Sequence, residues 1–292
     1  MLKTDYRFVM EAKRDTEGSE AGEPHQFGPY QLHELINTGG MAEIWIASNA
    51  KSETVAIRKL HNKSRFNFLE KKRFLQGCEV LAHIHNHQNV IGYISHGKIS
   101  GQPYLEMEYL ESSNLKLLFA RSDPLLEENI GNILIDMAVG LEHVHDSGYI
   151  HRDFKPENII ISRNASLRLI DFDLAIPKPE KPVKMKHNPG TPAYMAPEQL
   201  LRQPLDHRVD MFAYGVAAFE LLTNQKPFPG DSPGEILKLQ LDRSEFITPR
   251  ELNPDIPANL EKTILKCLDT DMQERYPHMS VLVRDLQAAL YV

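Results

Sequence analysis

Two short stretches decide the fold of this chain: His151-Arg152-Asp153-Phe154-Lys155-Pro156-Glu157-Asn158 and, thirteen residues after it, Asp171-Phe172-Asp173. In the first, an aspartate, a lysine two residues later and an asparagine five residues later can share one loop. Such a loop would hold a base, a cation for a phosphate and a metal-binding amide. In the second, Asp171 follows an apolar strand predicted over Leu167–Ile170, and an aspartate at a strand end is a natural ligand for a hard metal ion. Two surface turns could explain either stretch alone, but together they indicate a site for metal and phosphate.

A third stretch, Asn37-Thr38-Gly39-Gly40-Met41-Ala42, lies between two predicted strands. Because glycine has no Cβ, the backbone amides of such a loop can approach a phosphate closely. Paired glycines also make ordinary hairpin turns. This stretch alone therefore leaves a phosphate contact and a plain turn both open.

The composition is that of a globular protein. Of 292 residues, 41% are hydrophobic and 25% charged, and 33 Lys and Arg stand against 40 Asp and Glu, for a net charge of −7. That balance excludes a protein whose whole surface binds nucleic acid or anionic lipid, although a local basic patch stays open. Two cysteines, Cys78 and Cys267, are too few for a disulfide framework and fit a reducing compartment.

No apolar run approaches the roughly 20 residues of a membrane helix, and Met1–Arg14 is too charged for a signal peptide. We therefore expect a cytoplasmic protein, or the cytoplasmic domain of a longer one. We expect no nucleic-acid partner and no membrane insertion in this chain, and the sequence specifies no oligomeric state.

Residues 1–29 differ from the rest of the chain. The segment Arg14–Pro24 is polar, acidic and contains glycine, so it buries too little to offset its ordering entropy. We predict a flexible N-terminal extension over residues 1–29, with a short helix near Phe8–Lys13. Beyond it, short runs rich in β-branched and aromatic residues predict strands. These runs are Tyr30–Ile36, Ile44–Ser48, Thr54–Leu60, Val90–His96 and Tyr104–Tyr109.

Helical spacing of apolar residues predicts the other elements. One helix, Phe68–Ile84, interrupts the strands, with Phe74, Leu81 and Ile84 on one stripe. After Ser113 helices dominate: one has an apolar face, and others are predicted over Asp206–Leu222 and Leu282–Leu290. That face consists of Ile130, Ile133, Leu134, Met137, Leu141 and Val144. Five strands and one helix, followed by a mainly helical half, predict an α+β fold with two lobes.

Over residues 30–292 the chain resembles the eukaryotic-like Ser/Thr protein kinases, especially their bacterial branch, because seven motifs stand in that family's order. They are the Gly-rich loop at Asn37–Ile44, the third-strand motif at Val55–Arg58, the hinge at Met107–Leu110, the catalytic loop at His151–Asn158, the metal-binding motif at Asp171–Asp173, the end of the activation segment at Gly190–Glu198 and the central helix of the large lobe at Asp206–Val216. The resemblance implies one kinase domain at 30–292. It implies a small antiparallel β lobe with one helix (30–110) and a larger, mainly helical lobe (111–292).

The resemblance implies transfer of the γ-phosphate of ATP to a protein hydroxyl, with ATP and Mg²⁺ as cofactors and a protein as substrate. Asp153 would accept or orient the hydroxyl proton, and Lys155 would neutralise the phosphate as it moves. Asn158 and Asp171 would hold Mg²⁺. A lysine two residues after the aspartate is typical of the Ser/Thr branch.

The resemblance also implies an ATP site and a structural set. The implied ATP-binding residues are Ile36, Asn37, Thr38, Gly39, Gly40, Met41, Ala42, Ile44, Ala56, Arg58, Met107, Glu108 and Leu110. Of these, the side chains of Ile36, Ile44, Ala56 and Met107 would border the adenine, and backbone groups of Glu108 and Leu110 would read its edge. The implied structural residues are Glu198, Asp210 and Arg275, the last matching the arginine that pairs with Glu198 in the family.

Two departures from the family pattern concern the ion pair of the small lobe. Arg58 stands where the family has a lysine, and Lys59 follows it. Side chains alternate along a strand, so Arg58 shares the nucleotide face with Ala56 and Lys59 points away. Gly77 stands where the family has a helix glutamate, unless the alignment shifts around residues 85–88. The usual Lys–Glu pair is therefore absent or rebuilt.

Two further departures are local. Asp173 replaces the glycine of the metal-binding motif; an extra carboxylate near Mg²⁺ is one interpretation, and we favour a solvated or capping aspartate. Asn37 and Ala42 replace the first and third glycines of the Gly-rich loop. Asn37 tolerates left-handed geometry better than most residues.

The motifs leave two functions open: an active Ser/Thr kinase, or a pseudokinase scaffold with weak or no catalysis because Arg58 and Gly77 replace the usual pair. A small-molecule kinase is disfavoured, because the peptide-supporting segment Gly190–Glu198 is present. From Phe172 to Gly190 there is no Ser, Thr or Tyr. We therefore predict that the activation segment is not switched by phosphorylation.

Overall fold

The structure, a computed structural model, describes residues 24–62 and 67–291. These residues form a small lobe, built on a six-stranded antiparallel sheet, and a larger lobe built mainly of helices. The predicted α+β, two-lobed fold is thus confirmed. The short helix predicted near Phe8–Lys13 lies outside the described residues.

The sheet of the small lobe is formed by β1 (His25–Phe27), β2 (Tyr30–Thr38), β3 (Ala42–Ser48), β4 (Thr54–Leu60), β5 (Tyr93–Ile99) and β6 (Gln102–Glu108). Their spatial order is β1-β2-β3-β4-β6-β5, with every neighbouring pair antiparallel. The strand predicted over Thr54–Leu60 has the observed bounds. The strand predicted from Val90 begins only at Tyr93, because Val90 forms an isolated bridge with Leu169 of the large lobe instead.

Strand β1 corrects the predicted boundary of the N-terminal extension. The expectation of flexibility through residue 29 is wrong for His25–Phe27, which pair with β2. The Phe27 ring is buried and packs edge-on against Tyr104, with 6.0 Å between centroids. The composition of the segment does not predict this strand, because Phe27, the aromatic residue that anchors it, comes just after the polar, acidic stretch. The earlier part of the extension, residues 1–23, lies outside the described residues.

The two faces of the central strands bury different groups. Ala56 of β4 lies opposite Met107 of β6 and belongs to the main core that continues into the large lobe. Arg58, two residues on, lies on the same face. The opposite face forms a separate core of Phe27, Tyr30, Leu32, Trp45, Ala47, Val55 and Ile57.

Helix α1 (Phe68–Ile84) has the predicted bounds. Asn67 caps it, since its side-chain oxygen accepts the backbone N–H groups of Leu69 and Glu70 at 3.1 and 3.3 Å. The helix packs against β5 and β6. Its predicted apolar stripe, Phe74, Leu81 and Ile84, is buried.

The large lobe contains β7 (Ser112–Asn114), α2 (Leu115–Ala120), α3 (Pro124–Asp146), β8 (Tyr149–Ile150), β9 (Ile159–Ser162), β10 (Leu167–Leu169), β11 (Ile176–Pro177), β12 (Val183–Lys184), α4 (Pro197–Leu200), β13 (Pro204–Leu205), α5 (Arg208–Thr223), α6 (Pro233–Leu241), α7 (Pro249–Leu252), α8 (Ala258–Cys267) and α9 (Met279–Leu290). Single 3₁₀ turns lie at Pro156–Asn158 and Pro192–Tyr194.

Helix α5 is the centre of this lobe. It is apolar on nearly all sides and almost wholly buried, and it packs against α3, α7 and α8, as a helix without a polar face must. The predicted apolar face of α3 is buried except for Ile130, which is half-buried. In the part of the chain that the structure describes, no helix is long and apolar enough to span a membrane.

A buried ion pair joins the end of the activation segment to the helices of the large lobe. Arg275 donates from Nη1 and Nη2 to the two carboxylate oxygens of Glu198 at 2.8 and 2.9 Å. Its Nε donates to the Asp269 carbonyl at 2.8 Å, and its guanidinium lies 5.0 Å from the centroid of the Phe212 ring. Each charge is paired, so removing one leaves the other buried alone.

We expect Arg275→Met to lower the free energy of unfolding by about 3–5 kcal/mol, because it leaves Glu198 without its partner. Arg284→Met is the matched control: Arg284 pairs with Asp285 on the surface, its side chain is 74% exposed, and such pairs contribute at most about 1 kcal/mol. Urea denaturation measures both losses. Equal losses for the two variants would contradict this account of the buried pair.

Candidate active site

The catalytic loop is held through its backbone by one buried carboxylate. Asp210 of α5 accepts the backbone N–H groups of His151 and Arg152, both at 2.7 Å, and Nε2 of His145 at 2.8 Å. Arg152 has φ +67°, a left-handed conformation that few side chains adopt, and these bonds stabilise it. Burial favours the neutral acid, but the donors outweigh burial and lower the pKa of Asp210.

Asp153 is the centre of a hydrogen-bonded group of four residues. Lys155 Nζ donates to its Oδ2 at 2.7 Å, and Asn158 Nδ2 donates to the same oxygen at 3.2 Å. Thr191 donates to the other oxygen at 3.2 Å and accepts from Lys155 Nζ at 2.8 Å. Both carboxylate oxygens are therefore engaged, which fixes the orientation of the carboxylate.

Asn158 and Asp171 are brought together by the backbone. The N–H of Ile170, next to Asp171, donates to the Asn158 carbonyl at 3.0 Å. The Asn158 amide nitrogen also donates to the Asp153 carbonyl at 2.9 Å, which leaves its side-chain oxygen available as a ligand. Asp171 has φ +63° and a side chain 34% exposed. An amide oxygen and an accessible carboxylate are ligands that Mg²⁺ prefers.

The segment 36–44 consists of the end of β2, the turn at 39–41 and the start of β3. The Gly39 N–H donates to the Ala42 carbonyl at 2.8 Å and closes the turn. Neither Gly39 nor Gly40 has a left-handed φ, and a Cβ at Gly40 would meet no atom within 4 Å. The turn itself therefore does not require glycine at position 40. A phosphate contact at this turn therefore stays a prediction.

Three of the four predicted adenine-bordering residues, on β3, β4 and β6, share one face of the sheet. Ile44 lies opposite Arg58, and Ala56 lies opposite Met107, so these side chains share one face of the sheet. Ile36, the extra residue of a β-bulge in β2, is apolar yet 46% exposed.

The hinge follows directly after β6. The Glu108 side chain accepts the Gly92 N–H at 2.9 Å and pairs with Arg168 at 3.2 Å. The Leu110 carbonyl accepts from Ser112 at 3.1 Å. These contacts fix the chain between the two lobes.

Arg58 has a partner that the sequence does not suggest. Its Nη1 and Nη2 donate to the two carboxylate oxygens of Asp173 at 2.8 and 2.7 Å. Nη2 also lies 3.5 Å from Oδ1 of Asp171. The side chain of Asp173 is 3% exposed, so the expectation of a solvated or capping aspartate is wrong. The reason is that a planar guanidinium binds both oxygens of a carboxylate at once.

Gly77 supplies the space for this carboxylate. A Cβ built on Gly77 would overlap Oδ1 of Asp173 and lie 2.9 Å from its backbone nitrogen. The position facing the ion pair is therefore Gly77 itself, as the motif alignment indicates. The two carboxylates of α1 lie elsewhere: Glu70 accepts from Asn67, and Glu79 pairs with His96.

Lys59 points to the other face of the sheet, as strand alternation predicts. Its Nζ lies 3.2 Å from the Glu43 carboxylate and 5.1 Å from the centroid of the Trp45 ring. That contact belongs to the separate core under β1 and β2. Of the two neighbouring cations, Arg58 is the one that faces Asp171.

The buried charges change one another's pKa. Burial raises the pKa of Asp173 to about 6, with Asp171 adding to the shift and Arg58 opposing it. For Asp171, Arg58 and the Asp173 N–H outweigh burial and lower the pKa. Burial disfavours the charged guanidinium, but the two carboxylates raise the pKa of Arg58. Burial raises the pKa of the nearby Cys78 thiol to about 12, which excludes a thiolate as a competing partner at neutral pH.

The activation segment is fixed by backbone pairing and hydrogen bonds. Strand β11 pairs with β8, and β12 pairs with β13. The Asn188 side chain donates to the Gln199 carbonyl at 2.9 Å. None of these contacts needs a phosphate.

Two contributors to the site were missed by sequence reasoning. Thr191 was assigned only to the structural end of the activation segment, yet it bonds both Asp153 and Lys155. For Asp173 the sequence favours a solvated or capping role, which its burial contradicts. Nothing near Asp173 in sequence marks its pairing with Arg58.

Comparisons with known proteins agree with this geometry. The family model for the protein kinase domain matches residues 30–286. "Probable serine/threonine-protein kinase SCO3848" of Streptomyces coelicolor is 30% identical over 280 residues, which cover 92% of this chain and 41% of that protein. Serine/threonine-protein kinase PknH of Mycobacterium tuberculosis is 28% identical over 264 residues, covering 90% of this chain and 42% of that protein.

Serine/threonine-protein kinase PknB of Mycobacterium leprae is 28% identical over 273 residues, covering 90% of this chain and 43% of that protein. The chain thus spans about two-fifths of the length of these relatives. The family match covers most of the chain and includes the motifs around Asp153 and Asp171. The chain therefore belongs to the protein kinase domain family, in its bacterial, eukaryotic-like serine/threonine branch.

Proposed function

We propose that this chain is an active kinase that transfers the γ-phosphate of ATP to serine or threonine hydroxyls of a protein substrate. The observation that carries the proposal is the group around Asp153, in which Lys155, Asn158 and Thr191 bond both carboxylate oxygens. A carboxylate held in this way can meet a hydroxyl in one defined direction. The names of the relatives support the serine/threonine branch.

The chemistry follows from the positions of these groups. The substrate hydroxyl oxygen attacks the γ-phosphorus, the bond to the β-phosphate oxygen breaks, and ADP leaves. Asp153 accepts or orients the hydroxyl proton. Lys155, 2.7 Å from that carboxylate, neutralises charge on the transferring phosphoryl group. Thr191 keeps both groups in place.

Asp171 and the side-chain oxygen of Asn158 fit a magnesium ion, because both are hard oxygen ligands and the Asp171 side chain is 34% exposed. When bound, the ion supplies positive charge to the phosphate oxygens. Asn158 has a second task, since its amide nitrogen holds Asp153.

The face of the small-lobe sheet that carries Ala56 and Arg58 suits ATP. The apolar face of Ile44, Ala56 and Met107 suits the adenine, and the turn at Gly40, where a Cβ would meet no atom within 4 Å, leaves room for the phosphates. Arg58 adds a cation to this face, 3.5 Å from Asp171.

The alternative is a pseudokinase scaffold with weak or no catalysis. The observation behind it is that no carboxylate of α1 pairs with Arg58. We favour the active enzyme because the positive charge is still present in the cleft and is paired, with Asp173 as its partner.

We expect Asp153→Asn to lower the rate of Mg²⁺-dependent phosphate transfer by about 10²- to 10⁴-fold, because the amide cannot accept the hydroxyl proton. The assay measures transfer from ATP to a generic protein substrate and to the kinase itself. Asp255→Asn, the same change at an exposed position, is the matched control and should keep full activity. Equal transfer by wild type and Asp153→Asn would end the kinase proposal and favour the scaffold.

We also expect phosphatase treatment to leave the transfer rate unchanged, because residues 172–190 contain no hydroxyl and the segment is fixed by backbone pairing. Mass spectrometry of the treated protein confirms that phosphate has been removed. A large loss of activity after treatment would contradict this prediction.

A further inference from the structure

Glycine at position 77 is unfavourable for α1 itself. A glycine inside a helix destabilises it relative to alanine, because its unfolded backbone has more freedom to lose. Gly77 has no left-handed φ that would require glycine. Glycine is therefore favoured at position 77 because it lacks a side chain. The atoms that lie where a Cβ would be are Oδ1, N and Cα of Asp173.

The carboxylate in that space is fully committed to Arg58. Both of its oxygens accept from the guanidinium, at 2.8 and 2.7 Å. The guanidinium also lies 4.9 Å from the centroid of the Phe74 ring, one turn before Gly77 on α1. Arg58 is thus held between a carboxylate of the metal-binding motif and an aromatic ring of the helix.

We propose that Asp173 is the positioning residue for Arg58 and replaces the missing helix carboxylate, with Gly77 as the gap that admits it. This inference rests on the proposed function for its effect on nucleotide binding. Its stereochemical part, the dependence of Asp173 on Gly77, does not.

The pairing with Asp173 keeps Arg58 from binding Asp171. Nη2 of Arg58 is 3.5 Å from Oδ1 of Asp171 but 2.7 Å from Oδ2 of Asp173. A bidentate pair is stronger than a single long contact. Without Asp173, the guanidinium would turn to Asp171 and occupy the carboxylate that is placed to bind metal. Asp173 therefore keeps Arg58 in the cleft and keeps Asp171 available.

The first experiment tests the gap without any ligand. Gly77→Ala should lower the Tm by about 4–8 °C, because the added methyl group overpacks a buried site. In an Asp173→Gly background the same change should lower the Tm by less, because Oδ1 is then absent and only the backbone N and Cα of residue 173 remain near the added methyl group. Gly131→Ala in α3 is the matched control: its Cβ would lie 3.7 Å from Leu290, an ordinary contact, and its Tm should not fall.

The second experiment tests the positioning role by calorimetric binding of a non-hydrolysable ATP analogue with Mg²⁺. Asp173→Asn keeps the shape and removes the charge, and should weaken binding about 10- to 100-fold, as expected when a bond between charged groups is lost. The loss should shrink as the Mg²⁺ concentration rises, because the metal then competes with Arg58 for Asp171. Lys59→Met, on the opposite face of the sheet, should leave affinity unchanged.

Moving the carboxylate back to the helix gives the third arm. Gly77→Glu alone should abolish nucleotide binding, because the side chain collides with Asp173. Gly77→Glu combined with Asp173→Gly should recover part of the lost affinity, because Oδ1 is removed while the backbone N and Cα of residue 173 stay near position 77. A merely structural role would not produce this recovery.

Equal Tm losses for Gly77→Ala in both backgrounds would contradict the claim that Gly77 makes room for the Asp173 side chain. Unchanged affinity in Asp173→Asn would contradict the positioning role of Asp173. Neither result depends on catalysis. A wild type that binds the analogue but transfers no phosphate would instead refute the proposed function and leave this inference standing.

Discussion

A charge buried inside a protein needs a partner of opposite sign or several hydrogen-bond donors, and this requirement governs how the molecule is held together. Asp210 finds backbone N–H groups and His145, and by doing so fixes the catalytic loop. Glu198 finds Arg275, 77 residues away in sequence, and fixes the end of the activation segment. Arg58 finds Asp173, 115 residues away, and connects the two lobes across the cleft. Each pairing joins segments that no local preference would bring together.

Most of the fold could be predicted from local patterns. Apolar residues at helical spacing predict the helix Phe68–Ile84 to its exact ends, and a run rich in β-branched residues predicts the strand Thr54–Leu60 equally well. The strand at His25–Phe27 was not predicted. Its stability depends on Tyr104, which lies far along the chain, and a composition window sees only its polar neighbours.

The candidate site also has a part that local sequence predicts and a part that it does not. The spacing of Asp153, Lys155 and Asn158 could be read because all three lie in one loop, and strand alternation alone assigned Arg58 and Lys59 to opposite faces. The place of Asp173 could not be read, because two of its determinants lie far away in sequence and one of them is the absence of a side chain at Gly77. A glycine does not show in the sequence which distant side chain occupies the space beside it.

The contact between Gly77 and Asp173 also limits the order in which mutations could have produced this site. A carboxylate at position 173 cannot enter while any side chain at position 77 occupies its space. The helix side chain must therefore have been lost first, or at the same step. Between those two steps the cation at position 58, whether arginine or its ancestral residue, would have been buried without a partner. A protein at that stage needs additional stability from elsewhere in the domain. A reconstructed ancestor that carries this combination of residues would therefore be less stable than the present chain.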